Sequence, residues 1–134
     1  MDGRTDLPSV HHELDDTPGA WHLGAVDAAG RVVAISSYYT VACPLRPGVV
    51  PAVHLQNMAV EPALQRRGIG SAVMEEAIRR LKVTEAVLLW ADARDVAVPF
   101  YRRFGFVTIE GSGFTGPQTG RPHHVIELAL TPPA

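Results

Sequence analysis

The stretch that decides the fold lies mid-chain, where residues 65–74 read QRRGIGSAVM. Two arginines stand directly before two glycines, and the glycines begin a segment with helical periodicity. The unpaired N–H groups of a helix N-terminus carry partial positive charge, which favours phosphates and other anions. Glycine lets a ligand approach the backbone because it has no Cβ. Taken alone, the stretch fits either an anion site or an ordinary turn whose arginines are solvated.

The segment that follows, residues 69–82, has the clearest helical pattern in the chain. Ile69, Val73, Ala77 and Leu81 recur every four residues and form one apolar stripe. The opposite side carries two acid–base pairs in the favourable i,i+4 order, Glu75 with Arg79 and Glu76 with Arg80. The pattern therefore predicts an amphipathic helix packed on a core. The Gly-Lys-Ser/Thr ending of a nucleotide-binding P-loop is missing from its start.

The other elements predict a mixed sheet around this helix. Apolar, β-rich runs bounded by turn residues predict strands at 21–26, 31–39, 53–60, 86–91, 106–109 and 123–130. A second helix is expected at 96–104, and Gly105 would end it. Residues 1–20 are polar, contain two prolines, and are expected to be irregular. The order β-β-β-α-β-α-β-β predicts an α+β fold with two helices.

Composition narrows the class of protein. The chain has 134 residues, enough for one domain, and 46% of them are hydrophobic, enough for one core. A net charge of -2 disfavours a general nucleic-acid binder. The single cysteine, Cys43, excludes an intramolecular disulfide framework and suits a reducing compartment. No apolar run approaches a membrane span or a signal peptide. We therefore expect a cytoplasmic protein with no membrane or nucleic-acid partner.

Two blocks of sequence resemble a known family. The first reads MAVEP over residues 58–62 and QRRGIG over 65–70, and the second reads AVPFYRRFGF over 97–106. In this order and separation they resemble the GNAT superfamily of acetyl-coenzyme A-dependent N-acetyltransferases. The resemblance covers residues 21–130 and implies the GNAT fold, with residues 1–134 as a single domain. The ending GRPH at 120–123 is similar to a small bacterial ElaA-like subgroup.

The resemblance also implies an activity. Members move an acetyl group from acetyl-coenzyme A to a primary amine, by direct attack in a ternary complex and without a metal. Cys43 lies outside every motif, so nothing favours a covalent acetyl-enzyme. One alternative is a non-catalytic acyl-coenzyme A-binding or regulatory module with the same fold. A second is a small α+β domain without a ligand. The sequence does not name the amine acceptor.

Site residues follow from the same resemblance. The backbone from Met58 to Val60 would pair with the pantetheine arm and offer an N–H to the thioester carbonyl. Tyr101 falls on the family's proton-donating tyrosine; its other interpretation is aromatic packing beside Phe100 and Phe104. Arg94 stands where many members have a coenzyme-contacting asparagine. The expected coenzyme-binding residues are Met58, Ala59, Val60, Gln65, Arg66, Arg67, Gly68, Ile69, Gly70, Ser71, Arg94 and Tyr101.

The general base is harder to assign, because the stretch HLQNMAV at 54–60 has no carboxylate before Glu61. His123 would serve as base if its strand end faces the groove. His54 would otherwise order waters together with the amides that follow it. For each histidine the alternative is a surface or strand-end side chain. The adjacent pairs His11-His12 and His123-His124 predict no metal site, since neighbours on a strand face opposite ways.

The chain before the first predicted strand is shorter than the helical region that usually walls the acceptor site in this family. A shortened N-terminal region would leave one sheet face poorly covered, next to apolar residues Val32, Val33, Ile35, Tyr38 and Tyr39. Large exposed apolar patches usually mark an interface, and twofold dimers are the commonest oligomers. We therefore expect a homodimer with residues 35–51 near the contact. The alternative is that residues 1–20 fold back over the patch.

Overall fold

The computed structural model describes residues 9–14, 20–65, 67–115 and 122–130, with side chains for 20–65, 67–113 and 122–130. The strands are β1 (Ser9–Leu14), β2 (Ala20–Val26), β3 (Val32–Thr40), β4 (Ala52–Val60), β5 (Leu88–Arg94), β6 (Val107–Thr108), β7 (Phe114–Thr115) and β8 (Pro122–Ala129). Two helices, α1 (Ile69–Leu81) and α2 (Val98–Arg102), follow β4 and β5 respectively. Short 3₁₀ turns cover Pro62–Leu64 and Asp95–Ala97. The predicted α+β class with a mixed sheet and two helices is confirmed.

The strands form one eight-stranded sheet in the order β1-β2-β3-β4-β5-β8-β6, with β7 paired to β8. Strands β1 to β4 are antiparallel neighbours, and β4 pairs in parallel with β5. Because a parallel connection needs a crossover, α1 links β4 to β5 across one face of the sheet. A hairpin joins β2 to β3, with Gly30 at φ 82° and its N–H donating to the Asp27 carbonyl at 2.9 Å.

The expectation that residues 1–20 are irregular is wrong for residues 9–14. These form β1, which pairs antiparallel with β2 from Ser9 opposite Val26 to Leu14 opposite Trp21. Local propensity misses this strand because its stability comes from hydrogen bonds to β2 rather than from its own residues. Five residues, 15–19, separate β1 from β2; they and residues 1–8 lie outside the described residues.

Both helices pack on the same face of the sheet. Helix α1 buries the stripe predicted from its periodicity, and Met74 joins it. Helix α2 is shorter than expected, because a 3₁₀ turn precedes it and Gly105, at φ 99°, ends the segment. The other face carries a smaller core beneath the loop at 41–51, made of Cys43, Ala52, Leu88, Trp90, Ile109 and Val125. Within the described residues no helix covers that second face.

The predicted apolar patch on β3 is only partly exposed. Val32 and Ile35 keep 58% and 42% of their surface exposed, as expected for an open face. Val33 and Tyr38 do not belong to the patch, because both are buried in the core beneath the helices. The Tyr38 ring stacks on Trp21 of β2, with centroids 4.1 Å apart. Val33 is an extra residue at a β-bulge, since Ala34 lies opposite Ala25 and Val32 lies opposite Val26, so the apolar run is divided between two faces.

The Tyr38 hydroxyl is a buried polar group whose contribution to the free energy of unfolding can be measured. It is fully buried, and no described residue hydrogen-bonds it within normal geometry. Replacing a buried, unpaired hydroxyl by an apolar group of the same shape costs little, so Tyr38→Phe should change the free energy of unfolding by between zero and about +1 kcal/mol at neutral pH. Denaturant unfolding of both proteins at pH 7.5 would measure this change. A loss of more than about 1 kcal/mol would show that the hydroxyl has a partner.

Burial also raises the pKa of Tyr38. Above about pH 10 the unfolded chain releases the phenolic proton while the folded chain keeps it, so stability falls as the pH rises. The fall approaches about 1.4 kcal/mol for each pH unit. Tyr38→Phe should flatten this fall above about pH 10, where the unfolded chain titrates and the folded chain does not. Tyr39→Phe, on the other face, is the matched control for the loss of a phenol.

Candidate active site

The site begins where β4 and β5 separate. They pair only from Ala52 opposite Leu88 to His54 opposite Trp90. Strand β4 continues to Val60 and β5 to Arg94 without pairing to each other. A gap therefore opens in the middle of the sheet, next to the point where the chain leaves β4 for α1.

The backbone of β4 presents hydrogen-bonding groups to this gap. The N–H of Glu61, directly after β4, donates to the Val33 carbonyl of β3 at 2.8 Å. Glu61 and Val33 are therefore a hydrogen-bonded pair of the antiparallel ladder. In an antiparallel ladder the next pair points its N–H and C=O groups the other way. Alternation thus directs the backbone of Met58 and Val60 into the gap, while Ala59, between them, faces Ile35 of β3.

A β-bulge in β4 sets this phase. Asn57 lies opposite Ser37 and Leu55 lies opposite Tyr38, so Gln56 is an extra residue in the strand. One extra residue reverses the alternation of side chains beyond it. Leu55 and, after the bulge, Met58 both contact the core beneath the helices. Without the bulge, Met58 would face the opposite side of the sheet.

The start of α1 closes one end of the gap. Gly68 is the N-cap in the left-handed region, at φ 82°, and its carbonyl accepts the N–H of Ala72 at 3.0 Å. The N–H groups of Ile69, Gly70 and Ser71 have no partner within the helix, and no side chain caps them. These orphan donors make the turn suitable for an anion.

Gln65 and Gly70 shape the same corner. The Gln65 amide Nε2 donates to the Val60 carbonyl at 3.2 Å, which ties the turn to the end of β4. A Cβ on Gly70 would meet Val60 Cγ2 at 3.5 Å and Phe100 Cζ at 3.6 Å. These are ordinary contacts, so a methyl group fits there while a larger side chain would enter the gap.

A cleft of about 540 Å³ joins these parts, lined by Met58, Val60, Gln65, Gly68, Gly70, Ser71, Ala97, Phe100, Tyr101 and Arg103. Seven of these residues were expected from the sequence. Of the others expected, Arg67 is exposed beside the helix start, Ile69 is buried beneath it, and Arg66 lies outside the described residues. Ala59, Arg94 and His123 do not line the cleft.

Arg103 is a lining residue that the sequence analysis missed. Its Nη2 donates to Ser71 Oγ at 3.2 Å, across from the start of α1. Its guanidinium lies over the Phe100 ring, 5.3 Å from the centroid, a distance suited to a cation–π contact. Arg103 follows Tyr101 by two residues and so lies within the second sequence motif. Only the folded chain shows that it lies next to the start of α1.

Tyr101 lies in the cleft wall on α2. Its ring makes edge contacts with Phe100 and Phe106, at centroid distances of 5.1 and 5.5 Å. Burial raises the pKa of Tyr101 to about 12, against the opposing positive charge of Arg94. The phenol therefore keeps its proton at neutral pH. The two interpretations of this residue coexist, since it packs in an aromatic cluster and also borders the cleft.

Arg94 and His123 lie across the sheet from the cleft. They form a cross-strand pair between β5 and β8. Side chains alternate along a strand, and Val125 belongs to the core on the face away from the helices, so His123 shares that face. The structure thus places His123 and Tyr101 on opposite faces of the sheet. The sequence could not assign the face, because both neighbouring positions carry histidine.

In the part of the chain that the structure describes, no group of three or more histidine, cysteine, aspartate or glutamate side chains has a metal-binding arrangement. No helix in the same part is long and apolar enough to cross a membrane.

The split sheet, exposed strand backbone and uncapped helix start define an α+β domain suited to an extended ligand with an anionic end. Comparison with known proteins gives the family. Residues 20–108 match the acetyltransferase (GNAT) domain, and the chain belongs to this family. The predicted GNAT fold is thereby confirmed.

Similar proteins include the [ribosomal protein bS18]-alanine N-acetyltransferase of Salmonella typhimurium, which is 36% identical over 61 residues. That match covers 43% of this chain and 41% of the relative. The structure resembles the Escherichia coli ribosomal-protein-S18-alanine N-acetyltransferase, with a TM-score of 0.70, 18% identity, and coverage of 89% and 74% of the two chains. It also resembles an aminoglycoside 6'-N-acetyltransferase complexed with coenzyme A, with a TM-score of 0.72, 11% identity, and coverage of 88% and 77%.

Proposed function

We propose that this protein is an N-acetyltransferase that moves an acetyl group from acetyl-coenzyme A to a primary amine, by direct attack in a ternary complex. One observation carries the proposal: the backbone of Met58 and Val60, which β5 leaves without strand pairing, the uncapped start of α1 and the Tyr101 ring all border one cleft. Family membership supports the acetyltransferase class. The names of the relatives, which include protein and aminoglycoside acetyltransferases, support an amine acceptor without narrowing it further.

The cleft fits the parts of acetyl-coenzyme A in order along the chain. The amide-bearing pantetheine arm would pair with Met58 and Val60 as an added strand does. The pyrophosphate would lie on the N–H groups of Ile69 to Ser71, with Arg67 and Arg103 nearby. We propose that Arg66 also contacts the pyrophosphate. We propose that Ala59 contributes through its position between Met58 and Val60, the two residues that would pair with the pantetheine arm. When bound, the coenzyme supplies an activated acyl group as a thioester.

The residues around the gap would supply the remaining chemistry. The Met58 N–H, which strand alternation directs into the gap, would donate to the acyl oxygen as negative charge develops there, the role of an oxyanion-hole donor. Tyr101 would donate a hydrogen bond, and finally its proton, to the departing sulfur. A free thiol has a pKa of about 8.5, well below the Tyr101 pKa of about 12. Tyr101 would therefore stabilise the departing sulfur by a hydrogen bond before its proton is transferred.

The acceptor would approach from the face away from the helices. Arg94 and His123 lie at the end of the gap on that side, where we propose that they contact bound molecules rather than the phosphates. We place the activity in the cytoplasm, in keeping with the reduced, buried Cys43, and expect no nucleic-acid or membrane partner.

The rival function is a non-catalytic acyl-coenzyme A-binding or regulatory module. It shares the cleft and the helix start, so binding alone does not separate it from the enzyme. The two functions are separated by measuring turnover of acetyl-coenzyme A with a panel of amines. The panel contains an N-terminal alanyl peptide, spermidine and kanamycin. Coenzyme binding without acetylation of any amine would favour the module.

We also propose a homodimer. Four exposed apolar side chains, Val41, Leu45, Val49 and Val50, project from the loop at 41–51. Two contacts fix this loop to the sheet. Arg46 makes a bidentate interaction with Glu127 at 3.2 and 3.1 Å, and Trp90 Nε1 donates to the Val41 carbonyl at 2.8 Å. A rigid loop that presents apolar side chains loses little entropy on association, which suits an interface.

Coenzyme binding is tested at Gly70. Saturating coenzyme A should raise the melting temperature of the wild-type protein, by about 2.7 kcal/mol of added stability at 100 times Kd. Gly70→Asp places a carboxylate against the phosphates and should abolish the rise, measured by scanning fluorimetry. Gly70→Ala is the matched control, because its methyl makes only ordinary contacts, and it should retain most of the rise. An equal rise in Gly70→Asp would exclude the turn as the phosphate site.

The role of Tyr101 is tested by Tyr101→Phe, which keeps the ring and removes the proton. Turnover should fall by about 10²- to 10⁴-fold, the usual range for general acid–base groups, while coenzyme A affinity stays constant. Steady-state kinetics with the most active amine of the panel, together with calorimetry, would measure both. Phe104→Leu is a control for loss of aromatic packing. Full activity in Tyr101→Phe would leave the residue a packing role only.

Light scattering at micromolar concentration tests the dimer. The expected mass is twice the 14.4 kDa of the chain. Leu45→Glu should convert the dimer to monomers, because it buries a carboxylate in an apolar contact. Val83→Glu, at a position 83% exposed after α1, is the matched control and should remain dimeric. A wild-type mass near that of one chain would contradict the proposal.

A further inference from the structure

A second cavity lies on the side of α2 that faces away from the cleft. Its volume is about 340 Å³, and its walls are formed by Asp95, Val98, Pro99, Arg102, Thr108 and His124. None of these six residues lines the cleft that Tyr101 borders. The cavity, named here the α2–β8 groove, is therefore separate from the candidate active site.

One wall of the groove is a single face of a helical segment. The 3₁₀ turn that begins at Asp95 continues directly into α2. Residues at positions i, i+3, i+4 and i+7 share one face of a helix, and this is the spacing of Asp95, Val98, Pro99 and Arg102. Tyr101 lies on the other side of the same segment, in the wall of the cleft.

The two ends of this wall carry opposite charges. Asp95 begins the segment, and Arg102 follows two helical turns later, about 10 Å further along at the rise of an α-helix. Val98 and Pro99 form an apolar surface between them. A carboxylate at one end and a guanidinium at the other are complementary to an elongated molecule that carries a cation and an anion.

The segment runs along strand β8, which forms the floor of the opposite wall. His124 of β8 pairs with Ala93, two residues before Asp95. Beyond the far end of α2, a Cβ on Gly105 would lie 3.2 Å from Leu128 Cδ1. The segment thus runs from His124 towards Leu128, and His124 stands at the Asp95 end of the groove.

The opposite wall supplies one polar group towards each end. Thr108 of β6 pairs with Ile126, two residues beyond His124 in the direction of the Arg102 end. The His124 ring packs closely on the chain before β7, since a Cβ on Gly113 would lie 3.4 Å from its Nδ1. The ring therefore has little room to turn away from the groove.

The polar groups of the groove are available to a ligand. Asp95 uses Oδ1 to accept the Val96 N–H at 2.9 Å, which orients the carboxylate. Among the described residues, every ion pair joins side chains other than Asp95 and Arg102. The half-buried Thr108 hydroxyl and His124 ring also have no hydrogen-bond partner there. Convergent polar groups above an apolar surface are the usual composition of a small-molecule site.

We propose that the α2–β8 groove binds a short peptide in its zwitterionic form, with the terminal ammonium group at Asp95 and the terminal carboxylate at Arg102. The guanidinium can hold the carboxylate by two parallel hydrogen bonds, to which the Thr108 hydroxyl adds a third donor. The His124 ring lies beside the ammonium group. The proposal goes beyond the acetyltransferase function and does not depend on it.

The distance between the charges selects the size of the ligand. An extended chain spans at most about 3.3–3.6 Å for each residue, so a peptide of three residues matches a separation of about 10 Å. A free amino acid carries its two charges too close together to reach both ends. A single anion would use Arg102 and leave Asp95 without a partner.

NMR titration of the ¹⁵N-labelled full-length protein with tri-alanine, without an acetyl donor, tests the site. Saturable shifts are expected for the backbone amides of the segment from Asp95 to Arg102, and for those of Thr108 and His124. The C-terminal amide of tri-alanine lacks the carboxylate, and its N-acetyl form lacks the ammonium group. Each should bind about 10-fold more weakly or worse, because each loses a charge-assisted hydrogen bond.

Two variants assign the ends of the peptide. Arg102→Gln should bind tri-alanine about 10-fold more weakly and should no longer distinguish it from its C-terminal amide. Asp95→Asn should lose the distinction from the N-acetyl form and keep the preference for the free carboxylate. Both positions are exposed, so both variants should melt as wild type does. Arg79→Gln, at an exposed arginine of α1, is the matched control and should bind tri-alanine as wild type does.

Equal affinity for tri-alanine and both capped forms, or the absence of saturable shifts in the groove, would overturn the proposal. Shifts confined to residues 58–71 would place the peptide in the cleft, as an acceptor only, and would overturn it equally. Coenzyme A should raise the melting temperature of Asp95→Asn and Arg102→Gln as much as that of wild type. Failure of the groove is therefore distinguishable from failure of the coenzyme site.

Discussion

The separation of β4 from β5 after three residue pairs is the constraint on which the rest of the site depends. In a closed sheet the backbone groups of Met58 and Val60 would pair with the next strand. Here they are directed into a gap, where Gln65 Nε2 donates to the Val60 carbonyl and water or a ligand must satisfy the remaining groups. The bulge at Gln56 then brings the Met58 side chain to the helix face. Strand pairing, bulge and helix start together determine the shape of the cleft.

The alternation of side chains along a strand gives this gap two chemically different sides. On the helix side, Tyr101 is held among aromatic rings by burial, which keeps its proton in place. On the other side, His54 is held on Trp90 near a carboxylate, and burial keeps it neutral. Side chains at successive positions of a strand point to opposite faces, and both helices pack on one face, so the two rings are kept on opposite sides of the sheet.

Much of this arrangement could be predicted from sequence, and the limits have physical reasons. The stripe of α1 is a local pattern, so its predicted range of 69–82 differs from the observed Ile69–Leu81 by one residue. Strand β1 depends on pairing with β2, and no local pattern reports that. The contact from Arg103 to Ser71 joins residues 32 positions apart, so it appears only in the folded chain. The face of the sheet on which His123 lies depends on the alternation of side chains along β8. The sequence did not reveal this face, because the neighbouring residue, His124, is also a histidine.

The open face explains why the acceptor side is the least determined part of the site. Within the described residues, the loop at 41–51 covers the half of that face around Cys43 and Ala52, and Arg46 fastens it to Glu127. The half around Ile35 and Asp92 keeps about two-fifths of each side chain exposed. A coenzyme held on the helix side would therefore present its acyl group to a surface with few walls. Selection of the amine then depends on the charged and polar groups at the rim of the gap, or on surfaces that a second subunit supplies.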